Sequence, residues 1–164
     1  MADKTLDTLF HDTLRDIYYA ERKILSALPK MARGAQDPKL KDAFLLHREQ
    51  TEVHVERLQQ VFEIIGKNPR GKTCAAIEGI LEEGEEILQE YKGTAALDAG
   101  LLAAAQAVEH YEITRYGTLR TWAKELGLID AVGLLEQTLA EESETDELLT
   151  ALAETAVNAA AQKA

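Results

Sequence analysis

The chain has 164 residues, 46% of them apolar, one cysteine and a formal net charge of −11. That length and apolar content suit one domain with a core that needs no disulfide, and a lone Cys74 excludes both an internal disulfide and a Cys-x-x-Cys metal or redox pair. The acidity without a basic patch argues against nucleic acid as partner, and no signal-type leader or run of ~18 apolar residues is present, so a soluble cytoplasmic protein without membrane contact is expected.

Alanine, leucine and glutamate dominate, aromatics are scarce and there are three prolines, which favours an all-α fold. The first helix is expected over 5–33, stopped by Gly34 as a left-handed cap, with Pro29 kinking or ending it near residue 28. Its inner stripe reads Leu6, Phe10, Thr13, Ile17, Glu21, Ile24, Leu28, Met31. The second is expected over 37–65, opened by Asp37-Pro38 and closed by Gly66, with Leu45, Glu49, Glu52, Val55, Leu58, Phe62 and Ile65 facing in. After the loop KNPRGK at 67–72, a shorter helix at 73–91 carries an outward acidic run (Glu82, Glu83, Glu85, Glu86) and ends at Lys92-Gly93-Thr94. A third long helix follows over 95–126, capped by Gly127, with Leu101, Ala105, Val108, Glu109, Glu112, Tyr116, Leu119 and Ala123 inside. The last spans 130–158 and turns Leu135, Thr138, Leu139, Glu142, Leu149 and Leu152 inward.

Two antiparallel helical hairpins joined by a long crossover with an additional short helix is the connectivity of a ferritin-like four-helix bundle, whereas simple up-down bundles use short loops. Six glutamates, Glu21, Glu49, Glu52, Glu109, Glu112 and Glu142, fall on the inner stripes. Counted from the turn of each hairpin, they lie near mid-height: Glu21 is about 15 residues before the first turn and Glu49 and Glu52 about 14 and 17 after it, a mismatch of only ~2 to 4 Å along the axis. Pairs three apart, Glu49 with Glu52 and Glu109 with Glu112, share a helix face. A layer of hard oxygen ligands from four helices suits Fe, Mn or Mg, and six acids are enough for two ions.

The segments DIYYAERKIL, HREQTEVHVERL, AAAQAVEHYEITRYGTL and TLAEESETDELL resemble the YciF-like bacterial stress proteins, members of the ferritin-like superfamily that includes rubrerythrin. The resemblance spans nearly the whole chain and implies a dimeric, cytoplasmic four-helix protein with a di-metal carboxylate site. Mapped position by position, it places ligands at Glu21, Glu49 with Glu52, Glu109 with Glu112, and Glu142. This chain departs from the superfamily's Glu-x-x-His pattern: Glu52 follows Glu49 and Thr145 follows Glu142 where histidines are expected, and Asp146 is the candidate replacement ligand.

His47 and His54 are expected off the acidic stripe and, ~10 Å apart along the axis, too far from each other to share an ion; each histidine is read as structural or surface, or as a hydrogen-bond partner of a ligand carboxylate. The small-residue face of Ala103, Ala107, His110, Thr114 and Gly117 serves either packing inside the bundle or a homodimer contact. Tyr116, one turn past Glu112, is read as a core tyrosine with one hydrogen bond, or else as a donor to the ligands or a radical site. The expected function is a ferritin-like di-metal carboxylate protein, stress-related, holding two divalent ions (Fe first, Mn or Zn as alternatives) and coupling them to oxygen or peroxide. The alternative is a non-catalytic stress or interaction protein with a structural or vestigial metal site.

Overall fold

A computed structural model describes residues 3–163. Its elements are α1 (Leu6–Gly34), α2 (Pro38–Ile64), α3 (Ala75–Glu90), α4 (Leu97–Glu125) and α5 (Ile129–Leu152), followed by a π-helical turn (Ala153–Val157) and a short α6 (Asn158–Gln162). The four long helices close a ring in which α1 packs on α2, α2 on α5, α5 on α4 and α4 on α1, while α3 lies against α4 and α1. No helix among the described residues is long and apolar enough to cross a membrane.

Local chemistry sets most of the ends. The Thr5 hydroxyl accepts from the Thr8 amide to start α1, and the Asp37 carboxylate accepts from the amides of Lys39 and Leu40 to start α2, with Pro38 in the first turn where its missing N–H costs nothing. Gly66 and Gly127 stop α2 and α4 at φ 65° and 72°. At each, the glycine and the residue after it return their amides to the last helical turn (Gly66 to Glu63 and Lys67 to Phe62; Gly127 to Lys124 and Leu128 to Ala123), a pattern that satisfies carbonyls otherwise left open.

The end of α1 differs from expectation. The helix continues through Pro29 to Gly34, because Ile24, Leu28, Met31 and Ala32 are all buried there and outweigh one lost amide donor. Gly34 is still helical and is not among the glycines with positive φ. Its small size serves a close approach instead, since a Cβ would meet Leu88 Cδ2 of α3. The following turn is held from across the ring. Asp98 of α4 accepts from the Gln36 and Asp37 amides at 2.8 and 2.6 Å, and the Gln36 side chain donates to Thr94 O at 2.9 Å. Asp98→Ala should therefore lower stability by about 1.5–3 kcal/mol, the scale of hydrogen bonds to a charged group, as read by denaturant unfolding.

The largest correction concerns α2. Its buried face is Leu40, Ala43, Phe44, His47, Thr51, His54, Leu58, Val61 and Phe62, while Leu45, Glu49 and Glu52 are exposed. Reading back from Leu58 through Val55, Glu52 and Glu49 takes three successive steps of three, and each rotates the stripe by ~60° around a helix with 100° per residue. The drift carried the expected face to the outside, where exposed Leu45, Leu46 and Val53 imitate a core stripe. On α4, Ala103, Ala107, His110 and Thr114 are exposed and Gly117 is partly so, which removes packing inside the ring as their role. The helix expected to reach residue 158 instead loosens into the π turn at Ala153.

Candidate metal centre

At the middle of the ring, each long helix contributes at least one polar side chain to a single buried cluster. Glu21 comes from α1, His47 and His54 from α2, Glu109, Glu112 and Tyr116 from α4, and Glu142 from α5. Each sits on its helix at the position an apolar core residue would occupy, flanked one turn away by Ile17 and Ile24, by Phe44 and Leu58, or by Ala105 and Leu119, and on α5 by Leu135 and Leu149 two turns away. None is more than 4% exposed, where charged groups are almost never found unpaired.

The cluster resolves into two groups. His47, Glu109, Glu112 and Glu142 form one, and Glu21, His54 and Glu142 form the other; in each, one ligand atom per residue lies within 4.8 Å of all the rest. His47 Nε2 is 3.0 Å from Glu109 Oε1 and 4.0 Å from both Glu112 Oε2 and Glu142 Oε2. His54 Nδ1 is 2.8 Å from Glu142 Oε1 and 3.5 Å from Glu21 Oε1. Glu142 thus turns one oxygen toward each histidine. Tyr116 donates to Glu21 Oε1 at 2.6 Å, which fixes that carboxylate from behind.

Among the described residues, nine buried side-chain nitrogens and oxygens make no well-aligned hydrogen bond, and all nine belong to this cluster: Glu21 Oε2, both nitrogens of His47, His54 Nδ1, Glu109 Oε2, and both oxygens of Glu112 and Glu142, with the His47–Glu109 and His54–Glu142 pairs meeting only as close charge contacts. Each such atom costs on the order of 1–3 kcal/mol in a protein that offers it nothing else. Their convergence on two points is the arrangement that cations satisfy, so the residues present fit a pair of metal ions.

Proton occupancy responds to the same crowding. Burial, reinforced by neighbouring Glu142, pushes the Glu109 carboxyl well above the usual range, and burial together with the charges of Glu142 and Glu21 does the same to Glu112. Burial also works against charge on His54, but close contacts with Glu142 and Glu21 win and raise it to about 10. Burial likewise works against charge on Glu142, yet contacts with Glu109 and His54 and the charge of His47 hold it down to about 2. His47, with burial dominant, is lowered and stays neutral at pH 7, as a metal-binding imidazole must. Burial, followed by the charge of Glu21, raises Tyr116, so its phenol keeps its proton.

These directions fix the sign of a pH effect. Glu109, Glu112 and His54 titrate higher folded than unfolded, so their stabilisation is full at low pH and is lost as pH rises through their folded values, near 10 for His54. Glu142 has the opposite sign, contributing above its unfolded value and losing it only as pH falls toward about 2. Metal-free protein should therefore show a falling unfolding midpoint from neutral pH toward about 10, and a bound cation, which replaces the protons, should flatten that decline; thermal scans across this range read both.

Of the residues expected to bind metal, the structure brings together Glu21, Glu109, Glu112 and Glu142. Glu49 and Glu52 stand on the outer face of α2, where Glu52 pairs with Arg48 at 3.4 Å. Asp146 is one turn beyond Glu142 at a half-buried position and faces α4, 3.3 Å from Gln106 Nε2 and 3.1 Å from His110 Nε2. The sequence reading left His47 and His54 off the inner stripe and outside the set of metal ligands, allowing them at most a hydrogen bond to a ligand carboxylate, whereas both rings face the cluster's carboxylates. Their rings are 6.4 Å apart, and each belongs to a different group, so the distance that argued against a shared ion is the distance between two positions. Their signal was present in the run Phe44, His47, Thr51, His54, Leu58, which keeps steps of three and four in alternation and stays on one face.

Fold and cluster together define an all-helical protein with a buried histidine–carboxylate centre. The chain belongs to the family described as a domain of unknown function, DUF892, whose model matches residues 5–162. It is 45% identical over 161 residues to protein YciF of Escherichia coli strain K12, covering 97% of this chain and 96% of that protein. The crystal structure of the E. coli stress protein YciF superimposes with a TM-score of 0.90 at 43% identity, over 95% of this chain and 99% of that one. YcfI from Rhodopseudomonas palustris matches with a TM-score of 0.87 at 46% identity, over 90% and 94% of the two chains. The resemblance to YciF-like stress proteins is thereby shown over nearly the whole chain.

Proposed function

We propose that this protein is a ferritin-like four-helix bundle that holds two divalent metal ions in its centre and acts in a bacterial stress response. Iron is the preferred metal, with manganese or zinc as alternatives. The observation that carries the reading is the set of nine buried atoms without a well-aligned hydrogen bond, gathered on one cluster. Mixed imidazole and carboxylate donors suit Fe, Mn and Zn. His47, Glu109 and Glu112 would hold one ion, Glu21 and His54 the other, and Glu142 would serve both through its separate oxygens.

Bound iron or manganese supplies one-electron redox chemistry toward oxygen or peroxide. The chain's own residues shape where that takes place. Tyr116 holds the Glu21 carboxylate in orientation and leaves Oε2 free. The core packed around the cluster excludes bulk water, which strengthens every charge interaction inside it. Neutral His47 would offer a nitrogen without first releasing a proton, whereas Glu109, Glu112 and His54 would each give up a proton to hold a cation.

Metal analysis of protein purified without chelator tests this reading. Two ions per chain are expected, falling to background in the Glu142→Ala variant, which removes the shared oxygens. Peroxide or oxygen consumption by the Fe-loaded protein, absent in the same variant, extends the test to redox chemistry. Trace metal at an equal level in both proteins overturns the metal-centre reading.

A further inference from the structure

The two histidines of the cluster are held differently. In each ring one nitrogen faces the cluster's carboxylates, His47 Nε2 toward Glu109 and His54 Nδ1 toward Glu142, and the difference lies at the other nitrogen: His47 Nδ1 has no hydrogen-bond partner, whereas His54 Nε2 has one. His54 Nδ1 faces inward to Glu142 and Glu21, and its Nε2 faces outward to Glu141 Oε2 at 2.8 Å. Glu141 is gripped in turn by Arg57, whose Nη1 donates to Oε2 at 2.5 Å and whose Nη2 donates to Oε1 at 2.9 Å. Arg57 Nη1 also reaches Thr138 Oγ1 at 3.2 Å, tying the guanidinium to α5. The Arg57 and Glu141 side chains are 16% and 30% exposed, so this chain of contacts runs from the sealed centre to the protein edge.

We propose that Glu141 and Arg57 are positioning residues that fix His54 as an Nδ1 donor and so tighten one of the two metal positions, the one shared with Glu21 and Glu142. The proposal rests on the metal-centre reading and adds to it an asymmetry between the two positions. Its chemistry is direct. An ionised carboxylate only accepts, so a proton sits on His54 Nε2 toward Glu141; a cation at the inner position would displace the Nδ1 proton that faces Glu142 and Glu21 and take the lone pair it leaves. The negative charge of Glu141 makes the ring a stronger donor. The two-pronged Arg57 contact fixes the plane of that carboxylate, which a single hydrogen bond would leave free to rotate. His47 has no carboxylate–guanidinium pair behind it, its outer neighbour being the uncharged Gln50 amide, so its position depends less on charge outside the cluster.

The test is a Zn(II) titration of the metal-free full chain, followed by nitrogen-15 NMR of the histidine rings, in wild type and in Glu141→Ala, Glu141→Gln and Arg57→Ala. Wild type should bind two equivalents, with zinc on His54 Nδ1 and a proton retained on Nε2. Glu141→Ala should weaken one equivalent by about 10- to 100-fold, the usual loss when an outer partner of a metal-bound histidine is removed, and leave the other nearly unchanged. Glu141→Gln keeps an acceptor without the charge and should preserve Nδ1 coordination at intermediate affinity; Arg57→Ala should fall between wild type and Glu141→Ala. If Glu141→Ala does not fold, the other two variants decide. Wild-type affinity for both equivalents in the variants that fold, or zinc on Nε2 in wild type, overturns the clamp alone. No zinc uptake by wild type overturns the metal-centre reading and the clamp with it.

Discussion

Adding saturating Mn(II) or anaerobic Fe(II) to the metal-free protein should raise its unfolding midpoint by roughly 8 to 16 °C for each position filled. The estimate follows from linkage: a ligand at about 1,000 times its dissociation constant stabilises the folded state by about 4 kcal/mol. A chain of this size gains roughly 2 to 4 °C per kcal/mol. The effect should be large here because the unfolded chain cannot reassemble donors drawn from four helices, so binding to it competes poorly. Glu142→Ala should abolish most of the shift, since its two oxygens face the two histidines separately. Removing Glu49 and Glu52 together should leave the shift intact, because both stand in solvent. A differential scan of the three proteins with and without metal measures all of this, and a shift lost in the Glu49/Glu52 double variant but kept in Glu142→Ala would reverse the assignment.

Replacing Glu112 with leucine should make the metal-free protein more stable, by about 1–4 kcal/mol, while removing its response to metal. Glu112 is fully buried and neither carboxylate oxygen has a hydrogen-bond partner, so the metal-free fold carries its desolvation cost without return. Leucine is close in volume and falls on the buried stripe of α4, one turn from Val108 on one side and Tyr116 on the other. The opposite signs in the two states make this a discriminating change. A residue kept for packing would be weakened by substitution with and without metal. A residue kept for a cation should be improved in its absence and harmed in its presence. Chemical denaturation of both proteins, each with and without Mn(II), gives the four numbers needed.

Much of this centre was legible in the sequence because three of its helices announce their faces. On α1, steps of three and four from Phe10 to Met31 stay in alternation, and Glu21 falls inside them. On α4 the apolar run around Glu109 and Glu112 does the same, and on α5 so does the run around Glu142. Counting back from each turn placed these acids at one depth, which holds because short turns make adjacent helices antiparallel. Helix α2 was not legible by the same means. It offers exposed Leu45, Leu46 and Val53 outside and His47, Thr51 and His54 inside, so hydrophobicity points to the wrong side. Only the strict geometry of 100° per residue separates the two faces, and polar residues kept inside by function are where hydrophobic patterning fails. Gly34 was misread for a related reason: glycine after a helix suggests a left-handed stop, whereas its neighbour across the fold, Leu88 of α3, belongs to a segment 54 residues away in the chain. Pro29 shows the reverse, a local helix breaker overridden by tertiary burial on both sides.

The most direct measurement is anomalous diffraction at the manganese edge from crystals of the full chain grown with Mn(II). Two peaks are predicted, one surrounded by His47, Glu109, Glu112 and Glu142 and the other by Glu21, His54 and Glu142. No peak within the helix ring, or peaks only at Glu49, Glu52 or other surface acids, would contradict the account.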